Sequence, residues 1–132
     1  MSIQSIENTE QVRDLEKAVL GGLMLETEKY DAVSLLIQFS DFEGQDHQSI
    51  FQSMGELVYA NKPLDPLTVS DRLDNKNLLT RAGGKNYLIE LASSSPSAAN
   101  LDAYAEMIRQ KSISRKLMKI NSQICLKVFG KD

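Results

Sequence analysis

Tryptophan is absent from this chain of 132 residues, cysteine and histidine occur once each, and proline occurs three times. Each scarcity excludes something. Cys125 has no second cysteine to pair with, so no internal disulfide forms and a reducing, cytoplasmic setting is expected. His47 has neither another histidine nor a nearby cysteine, which removes the usual zinc donor sets. Beside Asp46 and near a helix start, it reads as a capping or hydrogen-bonding residue rather than a catalytic base. Long hydrophobic runs are missing as well. None approaches the roughly 20 apolar residues that span a bilayer, and the polar opening MSIQSIENTE has no basic stretch leading into an apolar one. No targeting segment and no membrane partner are expected. Four Phe and four Tyr are all the aromatics, and their helical spacing makes them core rather than a stacking surface for bases.

Catalytic signatures are equally scarce. Gly21-Gly22 and Gly83-Gly84 are not followed by the Gly-Lys-Ser/Thr ending of a phosphate-binding loop. The serines at 93, 94, 95 and 97 lack the flanking glycines of a nucleophile elbow and read as loop and cap residues. No catalytic residue, metal ligand or cofactor site is assigned to this chain.

A hydrophobic fraction of 42% and a length of 132 residues describe one folded domain, long enough to bury a core without cross-links. The net charge of −3 hides an asymmetry. Residues 1–108 carry 8 basic and 17 acidic side chains, net −9; residues 109–132 carry 7 basic and 1 acidic, net +6. The basic end is either a contact surface or a solvated helix face with cations favoured by the dipole.

Apolar positions recur at three- and four-residue steps, so the chain reads as all-α, a compact bundle of five to six short helices followed by one long C-terminal helix. A flexible tail over 1–10 leads into a helix from about Gln11 to Leu25, with Leu15, Val19, Leu20 and Leu23 on one stripe. Gly21-Gly22 within it implies either close approach of another helix or a break. Thr27 is a candidate cap for a helix carrying Tyr30, Val33, Leu36 and Ile37, and Asp46 for one carrying Ile50, Phe51, Met54, Leu57 and Val58. Asp65-Pro66 is a strong start signal, Asp74–Asn77 closes that short helix, and Gly83-Gly84 opens another with Tyr87, Leu88 and Leu91. The Ser93–Ser97 cluster, with Pro96, ends the globular part, residues 11–100.

The last element, within 101–132, runs without Gly or Pro from Leu101 to Phe129, and Gly130 supplies a stop. A helix of that length extends roughly 43 Å, more than the width of so small a domain, so its far end leaves the globule with apolar residues aboard. Ile113, Leu117, Ile120 and Ile124 are expected to bury against a second copy, the alternative being that they fold back on their own body. Cys125, on the flank of that stripe, reads as a packing residue.

In order along the chain stand Leu15–Leu25 (LEKAVLGGLML), Asp41-Phe42, His47 with Ile50-Phe51 and Met54, Pro63-Leu64-Asp65 with Leu67-Thr68, Gly83-Gly84 with Tyr87-Leu88, Pro96–Asn100 with Tyr104-Ala105, and Ile108-Arg109 with Arg115. This series resembles the N-terminal domain of DnaB-type bacterial replicative helicases over about residues 12–120. The resemblance implies an all-helical globule followed by a helical hairpin, of which Leu101–Phe129 would be the first arm. It implies domains that pair through their hairpins into a hexameric collar, a trimer of dimers. Primase and initiation factors would dock on that collar, here with Arg109, Lys111, Arg115, Lys116 and Lys119 as candidate contacts. It also implies a separate ATP- and magnesium-dependent motor domain that moves 5′ to 3′ on single-stranded DNA, so that this chain meets DNA only through the full-length ring.

Two positions depart from the pattern: Glu43 where an aromatic is usual, and Gln48 where a basic residue is common. The chain also stops near the end of the first hairpin arm. A second reading therefore stands beside the first: a stand-alone mimic of the domain, of mobile-element type, that binds helicase or primase. Direct DNA binding by the basic end is a third.

Overall fold

The computed structural model describes residues 3–95 and 97–129, with side chains from residue 9 onward. Six helices follow one another: α1 (Ile3–Leu25), α2 (Tyr30–Leu36), α3 (Gln45–Tyr59), α4 (Pro66–Asn75), α5 (Gly84–Ser94) and α6 (Leu101–Val128). Short 3-10 turns at Thr27–Lys29 and Phe39–Asp41 bracket α2, and no strand occurs among the described residues. The helix α1 starts at Ile3, inside the stretch expected to be a tail. Pro96 and Gly130 lie outside the described residues.

The core forms where α1 packs against α5, α6 and α3, with α4 bridging α3 and α5 and α2 lying on α6. Leu20 and Leu23 of α1, Ile50 and Met54 of α3, Leu73 of α4, Leu88 of α5 and Leu101 and Ile108 of α6 are buried together. Each such side chain contributes about 1.5–3 kcal/mol through removal from water. The glycine pair in α1 is a close approach and not a break. A Cβ on Gly21 would overlap the Leu91 carbonyl of α5, and one on Gly22 would overlap the Leu101 side chain of α6.

Helix ends follow local chemistry. Asp65 caps α4 as expected: its Oδ1 accepts from Thr68 N at 2.8 Å while Thr68 Oγ1 accepts from Asp65 N at 3.1 Å. Helices α3 and α4 both end on an asparagine with positive φ, Asn61 at 60° and Asn77 at 58°. Around each, two hydrogen bonds reach back into the last turn, Lys62 N to Leu57 O with Asn61 N to Val58 O, and Leu78 N to Leu73 O with Asn77 N to Asp74 O. Two expected caps are corrected. Thr27 Oγ1 accepts from Leu64 N at 3.2 Å, tying the α1–α2 corner to the approach of α4. Asp46 lies inside α3, which Gly44 caps, because its carboxylate is drawn to Arg13.

Candidate functional site

Two polar clusters and one apolar stripe decide what the fold can do. The first cluster is buried where α1, α3 and α5 meet. His47 has no solvent exposure; its Nδ1 lies 2.7 Å from Glu16 Oε1 and its Nε2 lies 2.7 Å from the Tyr87 hydroxyl. Glu16, equally buried, also accepts from the Glu43 backbone N–H. Arg13 closes the cluster, donating to Asp46 Oδ2 at 2.7 Å and to the Tyr87 hydroxyl at 3.1 Å. Burial pushes the Asp46 carboxyl up, but the hydrogen bond from Arg13 and the neighbouring His47 outweigh it and hold the group below the usual range. His47 is thus the hydrogen-bonding residue expected. With both ring nitrogens taken and no exposure, it fastens three helices and cannot meet a substrate. Its partners Glu16 and Tyr87 lie 31 and 40 residues away, too far for any local pattern to link them to His47.

The second cluster sits where α6 leaves the body. Asp41 is 4% exposed and collects a ring of donors. Its Oδ2 accepts from Gln38 N at 2.9 Å; its Oδ1 accepts from Ser112 Oγ at 2.8 Å and Lys116 Nζ at 3.3 Å; its backbone carbonyl accepts from Arg115 Nη2 at 2.9 Å. Burial raises the Asp41 carboxyl, yet these hydrogen bonds and the Lys116 charge carry it below the ordinary range. One turn earlier, Arg109 Nη1 donates to Leu36 O at 3.2 Å. Three of the five candidate docking cations therefore hold α6 to the α2–α3 connection. Lys111 and Lys119 carry no ion pair among the described residues and line shallow grooves on either side of Arg115.

The stripe is the rest of α6. Leu101, Ala105, Ile108 and Ser112 are buried against the body, and beyond Ser112 no described residue of the helix is buried. Ile113, Leu117, Ile120 and Ile124 are 39%, 56%, 49% and 52% exposed, so the fold-back alternative does not hold. At about 100° per residue, their line is turned roughly 120° from the line that faces the body. That offset is the physical reason: the helix that packs one stripe on its own core must aim the other elsewhere. Cys125 is exposed, which corrects its reading as a packing residue. Among the described residues, no group of His, Cys, Asp and Glu is placed to hold a metal ion, and no helix is long and apolar enough to cross a membrane.

A small helical body with one long helix running past it is an architecture shared with known proteins. The profile of the DnaB-like helicase N terminal domain family matches residues 8–110, and the chain belongs to that family. The replicative DNA helicase DnaB of Buchnera aphidicola is 40% identical over 111 residues; these cover 84% of this chain and 24% of that protein, so the chain spans about a quarter of its relative. The crystal structure of the N-terminal domain of DnaB helicase from Mycobacterium tuberculosis superposes with a TM-score of 0.84 at 31% identity, covering 87% of this chain and 83% of that one. A DnaB-like replicative helicase, solved with attention to its interactions with primase, gives 0.74 at 27% identity, covering 89% of this chain and 28% of that one. The all-α fold expected from periodicity is the fold of these proteins.

Proposed function

We propose that this chain is the assembly and docking domain of a replicative helicase whose ATP- and magnesium-dependent motor, unwinding 5′ to 3′, belongs to a separate domain. Through α6 it pairs with a second copy, and pairs combine into the hexameric collar on which primase and initiation factors dock. DNA is met through the assembled ring. The observation that carries this reading is the exposed line Ile113, Leu117, Ile120 and Ile124, directed away from the chain's own core. An apolar stripe on a helix at a/d-like steps of four and three is what pairing helices use, and water alone covers it poorly. Sedimentation equilibrium tests the pairing: association that Leu117→Glu and Ile120→Glu abolish is expected, and a strict monomer at high micromolar concentration would sink it.

Docking of primase is assigned to Arg109, Lys111, Arg115, Lys116 and Lys119. Support comes from their grouping on one stretch of α6 in an otherwise acidic domain, and from the primase interactions described for the DnaB-like helicase of similar fold. Lys111 and Lys119 are the cleaner probes, because Arg115 and Lys116 also serve Asp41. Charge reversal at Lys111 and Lys119 should weaken primase binding, measured by titration calorimetry; an unchanged affinity would remove this assignment.

A further inference from the structure

The two grooves beside Arg115 differ from the other grooves described in carrying two or three cations each, where the others carry one. One, of about 350 Å³, lies between α1 and α6 with Val12, Lys111, Arg115 and Met118 in its walls and Glu43 at its edge. The other, of about 230 Å³, is lined by Phe42, Gln48, Arg115, Lys116 and Lys119, again with Glu43. Arg115 and Glu43 form the ridge that both share. Arg115 spends Nη2 on the Asp41 carbonyl, while its Nη1 is buried with no acceptor among the described residues. A guanidinium offers five N–H donors in a fork matched to carboxylates, and a buried donor without an acceptor marks a missing partner.

We propose that this ridge is a receptor for an acidic segment of a partner protein, with a carboxylate of that segment completing Arg115 and others meeting Lys111 and Lys119. This deepens the docking reading above and rests on it for the partner's biological identity. Charge complementarity selects the ligand. Lys111 and Lys119 form no ion pair among the described residues, and the apolar walls at Val12, Phe42 and Met118 suit aliphatic side chains set between the acids. Nucleic acid fits less well, because the cations line two short grooves divided by Glu43 and not a continuous basic track along which a phosphate backbone runs. Glu43 is exposed and acts as the internal competitor for the same cations.

The test uses a short fluorescent peptide of Glu and Leu at helical spacing, the same peptide with Gln for Glu, and a single-stranded oligonucleotide of equal charge, each titrated by anisotropy. The Glu peptide should bind and the Gln peptide should not. Arg115→Ala and Lys119→Ala should each weaken binding about tenfold, the loss of one charge-assisted hydrogen bond. Arg115→Lys should lose nearly as much, because the fork goes while the charge stays. Glu43→Gln should tighten binding, and Lys62→Ala, in neither groove, should leave it unchanged. Lys119 is exposed, so its variant reads out even if Arg115→Ala perturbs the body. Equal binding of the Gln peptide, stronger binding of the oligonucleotide, or indifference to both Arg115 and Lys119 would each overturn the proposal. Primase is titrated in parallel. Acidic-peptide binding that depends on these residues, with primase indifferent to them, sinks the docking reading alone; the reverse pattern sinks this inference alone.

Discussion

The two halves of α6 obey one periodicity and have opposite fates. Leu101, Ala105, Ile108 and Ser112 recur at steps of four, three and four and are sealed in the body; Ile113, Leu117, Ile120 and Ile124 recur at the same steps and stay exposed. Periodicity therefore states that a helix has an apolar face. What covers the face depends on which neighbours the fold brings to it, and on the angle at which one stripe hands over to the next.

The comparison breaks most visibly at the cluster that anchors the body. His47→Ala leaves the Glu16 carboxylate buried without its imidazole partner and should cost about 3–5 kcal/mol, read from urea unfolding; a loss no larger than that of an exposed substitution would deny the cluster its anchoring role. Ile108→Ala should cost about 2–5 kcal/mol, whereas Ile120→Ala, measured below the association range, should stay within about 0.5 kcal/mol. Equal losses would erase the distinction between the halves. Gly21→Ala meets a backbone carbonyl that cannot step aside and should cost about 1–3 kcal/mol. Gly22→Ala meets a leucine side chain that can rotate, so thermal unfolding should rank it milder.

The smallest effect sharpens the boundary itself. Asp41→Asn should leave the body folded but speed hydrogen exchange over residues 109–116 more than over α3. Asp41 and Asp46 are both held below the ordinary carboxylate range. Each therefore contributes stability that is present above the unfolded pKa, about 4, and is lost as pH falls through the lower folded value. Acid titration followed by circular dichroism should show it, and Asp41→Asn should flatten its part of that loss.

Most of the architecture was legible. The Asp65-Pro66 start, the Asp74–Asn77 stop, the Gly83-Gly84 opening and the length of α6 are local signals, and each stands where it was expected. The glycine pair of α1 was legible as a close approach, though not which helices approach. Thr27 and Asp46 misled for one reason: a short polar side chain caps its own helix only when no distant partner competes, and here Leu64 N–H and Arg13 compete. Asp41 was legible only as half of the Asp41-Phe42 landmark and not as an anchor, since its donors Ser112, Arg115 and Lys116 lie more than seventy positions on. Buried polar clusters of that kind are properties of the folded neighbourhood and leave no periodic trace.

Because α6 is one unbroken helix from Leu101 to Val128, it is a lever with Asp41 at its fulcrum. The sixteen residues from 113 to 128 extend about 24 Å. A tilt of about 10° at the fulcrum displaces the tip by roughly 4 Å, about three-quarters of a helical turn. Small adjustments in the body are thereby magnified at the tip, and the stiffness of a single backbone, with no linker to absorb the motion, carries them there.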